Sequence, residues 1–183
     1  MVSSAMSGVT NELIKKSLEI SDHFSESEHD VLVSSGEQVA CSLIAGRLIH
    51  EGYESRSWLS WQVPILTKGK YKNSRINQIN KRNIIKYIKK GGIPIVTGFQ
   101  GLNDENRITT IGRGGSDASA IMIAKFFKAE RCIIYTDVDG VYTTDPNKLK
   151  NAKKIKVISY EEMLEMASPV SYTHLRAHET DTD

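Results

Sequence analysis

Gly112-Arg113-Gly114-Gly115-Ser116-Asp117 is followed by Thr136-Asp137-Val138-Asp139-Gly140-Val141-Tyr142-Thr143-Thr144-Asp145-Pro146. In the first stretch small residues let the backbone approach a ligand closely, and Ser116-Asp117 opens an apolar segment with helical spacing whose amino end favours anions. The second stretch begins where the apolar run 132–136 ends, as a loop does after a strand. Two such loops point to an α/β enzyme that handles phosphate.

Working outward, residues 93–97 (Ile-Pro-Ile-Val-Thr) form a short β-branched run that predicts a strand, stopped upstream by Gly91-Gly92. Asn103-Asp104-Glu105-Asn106 ahead of residues 107–111 predicts a hairpin turn. Helices are expected over 12–20, over 80–90 with Ile84, Ile85 and Ile88 on one side, and from Ser116 through Lys128. Residues 21–30 are charged and suggest a connector, after which Ser35 and Gln38 suggest a capping box for a helix that ends before Gly52. Residues 54–62 suggest a strand and 67–74 a loop; 132–136 suggest a further strand. Ser159 with Glu162 forms a second capping box ahead of Tyr160, Met163, Leu164 and Ala167. Strands alternating with helices indicate an α/β sandwich with a largely parallel sheet, in which ligands gather at strand carboxyl ends.

A length of 183 residues with a formal charge of +2 and 39% hydrophobic residues suits one globular domain. The lysines are spread over several elements with few aromatics among them, which argues against nucleic acid as a partner. No apolar run reaches the roughly 20 residues needed to span a bilayer. The amino terminus has no signal-peptide pattern, so a cytoplasmic protein without a membrane partner is expected. Cys41 and Cys132 sit in apolar runs and suggest buried free thiols, and Trp58 and Trp61 suggest packing residues. His174, His178 and Glu179 lack the order and third ligand of a zinc site, so no metal-ligating set is assigned.

The glycine segment fails the dinucleotide fingerprint because Asp117 takes the third glycine position, and nothing fits GxxxxGK[ST]. Taken with Ser3 to Asn11, Ser34-Ser35-Gly36-Glu37-Gln38, Thr97-Gly98-Phe99-Gln100-Gly101 and Ser159 to Ser168, in that order, the chain resembles the amino-acid kinase superfamily and, within it, the aspartate kinases.

That resemblance implies a three-layer sandwich and transfer of the γ-phosphoryl of ATP, with Mg2+ accompanying the nucleotide, to the side-chain carboxylate of L-aspartate. The product, 4-phospho-L-aspartate, leads towards lysine, threonine and methionine. A carboxylate with a pKa of about 3.9 needs no general base, which suits a chain without an obvious histidine base. By position, Thr10, Glu37, Arg113, Gly114, Gly115 and Ser116 match substrate-binding residues, with Glu37 suited to the ammonium and Arg113 to a carboxylate. Asp117 matches the catalytic, site-organising carboxylate. Ser4, Thr136, Asp137, Tyr142, Asp145 and Pro146 match nucleotide-binding positions; Asn147 stands where arginine is common. A homo-oligomer is expected from family habit.

The family's opening Lys-x-Gly-Gly strand and a later nucleotide-contacting lysine have no counterpart here. The expectation is a catalytic domain truncated at both ends, covering 1–168 and inactive as it stands. Residues 169–183 change to a composition without periodicity, expected to be a non-native or disordered tail. Rival expectations are a glutamate 5-kinase, a uridylate kinase, or a catalytically inactive fragment that binds nucleotide or a subunit.

Overall fold

The computed structural model describes residues 1–112, 114–135, 143, 152–155, 157–159 and 162. The chain divides into two compact units, Met1–Glu130 and Arg131–Asp183. In the first unit the elements run β1 (Val2–Ser3), α1 (Val9–Ile20), α2 (Glu26–His50), β2 (Ser55–Trp58), β3 (Ile65–Lys70), β4 (Asn73–Ile79), α3 (Arg82–Lys89), β5 (Ile93–Thr97), β6 (Gln100–Leu102), β7 (Ile108–Thr110) and α4 (Gly115–Phe127).

The central sheet has the order β1-β5-β2 and is parallel throughout, with Ser3 opposite Thr97 and Trp58 opposite Val96. Its alternation sorts the two faces. Ile93 and Ile95 turn towards α2 and pack with Cys41, Ala45, Ile44 and Leu48. Val96 turns the other way, into a cluster with Trp58, Ile84, Met122, Ile123 and Phe126 from β2, α3 and α4. The sheet is therefore the middle layer between α2 and the pair α3 and α4. Removing the Ile95 side chain from water, where it is 0% exposed, is worth about 2–3 kcal/mol.

A second sheet, β4-β3-β6-β7, is antiparallel except between β3 and β6. Residues 67–74, expected as a loop, form most of the β3–β4 hairpin. Their polar composition misleads because the hydroxyls bond one another inside: Thr67 Oγ1 lies 2.5 Å from Thr109 Oγ1, and Ser74 Oγ donates to the Thr110 carbonyl at 2.9 Å. Helix α2 also begins earlier than expected. The charged stretch that suggests a connector supplies its first turn, where Glu26 and Glu28 suit the positive end of the helix dipole. Ser35 is then mid-helix and donates to the Leu32 carbonyl at 2.7 Å in place of capping.

The expected strand 93–97, the 103–106 turn, and the helices near 12–20, 80–90 and 116–128 are all formed. Trp58 is buried as a packing residue, but Trp61 is 40% exposed. Cys41 is buried and Cys132 only half-buried. In the second unit, residues 132–135 are not in a strand, with Ile133 and Tyr135 exposed. The Ser159 capping box is reciprocal: Ser159 N donates to Glu162 Oε2 at 2.9 Å and Glu162 N to Ser159 Oγ at 3.2 Å. The tail at 169–183 lies outside the described residues. Among the described residues no helix is long and apolar enough to cross a membrane.

Candidate functional site

Parallel strands bring their carboxyl ends to one edge of the sheet, and here β1 and β5 end side by side at Ser3 and Thr97. Ser4, the residue that follows β1, is exposed, while Gly98 donates its N–H to the Ser3 carbonyl at 3.0 Å. A β-carbon on Gly98 would lie 2.8 Å from that carbonyl oxygen and 3.1 Å from Ser116 Cα. Only glycine admits the start of α4 this close to the strand ends. The start of α4, the positive end of its helix dipole, therefore stands next to the sheet edge and favours an anion.

Helix α2 contributes Glu37, which is 3% exposed. Its Oε1 accepts from the Ala5 N–H at 3.3 Å, and its Oε2 has no partner. Burial raises the carboxyl to about 7, against a smaller opposing effect of backbone hydrogen bonds. The hydroxyl of Thr97, 0% exposed, is also unpartnered, while that of Ser3, 3% exposed, interacts with the Cys41 thiol. Both face α2, since Ile95, two residues before Thr97, does so, and Cys41 Sγ donates to the Ile95 carbonyl at 3.0 Å. Cys41 lies one turn beyond Glu37 on the same helix, and burial pushes its thiol upward. Buried polar atoms are nearly always satisfied, so Glu37 Oε2 and the Thr97 hydroxyl are candidate ligand contacts at this edge.

Asp117 lies in the first turn of α4, half-buried, with its carboxyl raised by desolvation. Gly114 caps that helix in the left-handed region at φ 67°, and Gly115 and Ser116 come next, buried and half-buried. Ser119 ties the turn down: its Oγ accepts from the Phe99 N–H at 2.9 Å and donates to the Gly115 carbonyl at 2.6 Å. Thr10 sits half-buried in the first turn of α1, beside Val9, which packs on Gly36 of α2.

The structure thus gathers Ser4, Glu37, Gly114, Gly115, Ser116 and Asp117 about the ends of β1 and β5, with Thr10 on the helix that packs against α2. Arg113, Thr136, Asp137, Tyr142, Asp145, Pro146 and Asn147 lie outside the described residues. Sequence reasoning missed Ser3 and Thr97, whose signal is a hydroxyl at an inward strand position. It also missed Asp30, hidden in a stretch with the composition of a connector. No three of His, Cys, Asp and Glu stand close enough to hold a metal ion among the described residues.

The family model for the amino acid kinase family matches residues 1–177. A protein named aspartokinase from Rickettsia conorii is 48% identical over 98% of the chain and 46% of its own length. The chain therefore spans a little under half of that relative. Among solved structures, aspartokinase III of Escherichia coli in complex with aspartate and ADP superposes with a TM-score of 0.69 at 28% identity, over 91% of the chain and 41% of that protein. The aspartate kinase of Synechocystis gives a TM-score of 0.69 at 38% identity, over 91% of the chain and 27% of its own.

Proposed function

The chain belongs to the amino acid kinase family, and we propose that within it the site serves an aspartate kinase, phosphorylating the side-chain carboxylate of L-aspartate with ATP. The observation that carries this is Glu37 beside the end of β1, where Oε1 takes the Ala5 N–H and Oε2 is buried without a partner. An amino-acid dicarboxylate needs one anionic partner for its ammonium and cationic or N–H partners for its carboxylates, and this edge offers both kinds. Similarity to proteins named aspartokinase supports aspartate over glutamate or a nucleoside monophosphate.

In this reading Glu37 receives the substrate ammonium and is held ionised by it. The first turn of α4, with Ser116 and Arg113, anchors the carboxylate that does not react. The nucleophilic carboxylate is already ionised at neutral pH, so the residues act by alignment and by neutralising charge on the transferred group. Ser4 lies at the exposed end of β1, open to nucleotide phosphates, and Asp117 orients cationic groups against them. Thr136, Asp137, Tyr142, Asp145, Pro146 and Asn147 belong on the nucleotide side. A magnesium ion bound with the nucleotide would neutralise phosphate charge. The product would enter lysine, threonine and methionine biosynthesis in the cytoplasm, made by a homo-oligomer.

Calorimetric titration with L-aspartate, L-glutamate and UMP, each with and without ADP and Mg2+, tests the assignment. Aspartate should bind the most tightly of the three. Preference for glutamate or UMP would remove aspartate as the substrate.

A further inference from the structure

Asp30 lies in the second turn of α2 and is 0% exposed. Its Oδ2 accepts from the Thr110 N–H at 2.7 Å and the Lys72 N–H at 2.9 Å. Its Oδ1 accepts from the Thr110 hydroxyl at 2.9 Å and again from Lys72 N at 3.1 Å. His29 Nδ1 stands 3.5 Å from the same oxygen. One carboxylate thus binds the tip of the β3–β4 hairpin to the end of β7.

The loop between β7 and α4 rests on this anchor. Gly112, at φ 87°, packs on the same hairpin tip: a β-carbon there would lie 3.1 Å from the Lys72 carbonyl and 3.3 Å from Asn73 Oδ1. The Gly112 carbonyl in turn accepts the Gly115 N–H at 3.0 Å, which begins α4. Asp30 therefore sits beneath the loop from which the first turn of α4 departs. Glu37 is seven residues further along α2, two turns away on the same buried face and about 10 Å along the axis.

We propose that Asp30 is a positioning residue that fixes the Gly112–Gly115 loop, and with it the start of α4, at a set distance from Glu37. A single rigid helix carries the group that meets the ligand's cationic end and the group that locates the anion-favouring helix start. This assignment rests on the function proposed above only for its ligand; the positioning itself is a property of the chain.

The test is amide exchange measured residue by residue by NMR in the 183-residue chain, comparing wild type with Asp30→Asn and with Ile84→Val. Asn keeps the shape but turns an NH2 towards donors, whereas Ile84→Val weakens an apolar core position that takes no part in the Asp30 hydrogen bonds. In Asp30→Asn, amides of Lys72, Thr110, Gly112 and Gly114 to Asp117 should exchange about tenfold or more faster while those of β5 stay nearly unchanged. Ile84→Val should not produce that localised pattern. L-Aspartate affinity should fall by a similar factor in Asp30→Asn and not in Ile84→Val. Unchanged exchange from Gly112 to Asp117, or a rise spread evenly over β5 as well, would overturn the proposal. If wild type binds no aspartate, the proposed substrate fails for this chain while the exchange pattern still decides the role of Asp30.

Discussion

Glu37 and Ala5 are joined by one hydrogen bond of 3.3 Å, from the Ala5 amide to Oε1, and that bond leaves Oε2 buried without a partner. The carboxyl is accordingly raised from 4.5 to about 7, chiefly by desolvation. A raised folded-state value means that the folded chain holds the proton longer than the unfolded chain. The stability linked to Glu37 is therefore fully present below pH 4.5 and is lost as pH rises through about 7. The loss amounts to about 3 kcal/mol at most. Without ligand, wild type should lose stability relative to Glu37→Gln across that window in urea unfolding series. Parallel pH profiles for the two proteins would contradict it.

Thr97→Val replaces an unpartnered buried hydroxyl with a methyl group of similar size. Because no hydrogen bond is lost, the unliganded chain should be unchanged or stabilised by up to about 1–2 kcal/mol. Aspartate affinity should nevertheless fall if the hydroxyl completes the ligand's bonding. Chemical denaturation beside calorimetry separates the two effects; a destabilised unliganded chain would show that Thr97 already serves a protein partner.

Gly98→Ala inserts a β-carbon 2.8 Å from the Ser3 carbonyl and 3.1 Å from Ser116 Cα. Neither neighbour is a flexible side-chain tip, so α4 must move away from the strand ends. Destabilisation of about 1–3 kcal/mol is expected, with weaker anion binding at the helix start. A melting temperature equal to wild type would mean that the approach is looser than the geometry states.

Much of this architecture is written locally. Ile93-Pro94-Ile95-Val96-Thr97 reads as a strand because its β-branched residues serve both buried faces, and Asn103 to Asn106 reads as a turn because side-chain oxygens bond the backbone, as Asn103 Oδ1 does with the Glu105 and Arg107 amides. The glycine segment likewise marks a helix start against strand ends. The β3–β4 hairpin was illegible because Thr67 and Ser74 are satisfied by Thr109 and Thr110, more than thirty positions away. The start of α2 was illegible for a similar reason: Asp30 looks like a surface acid until Lys72 and Thr110 close around it. Glu37 was visible through its resemblance, but its orphan oxygen and the unpartnered hydroxyl of Thr97 are consequences of packing alone.

The pairing of Glu37 with an ammonium group is tested most directly by titrating L-aspartate into wild type and Glu37→Gln at pH 8 and comparing it with succinate, which keeps both carboxylates and lacks the ammonium. Wild type should bind aspartate more tightly than succinate, and Glu37→Gln should lose about 2 kcal/mol or more of aspartate affinity while its succinate affinity stays level or improves. Equal losses for both ligands, or aspartate binding that Glu37→Gln leaves intact, would contradict it.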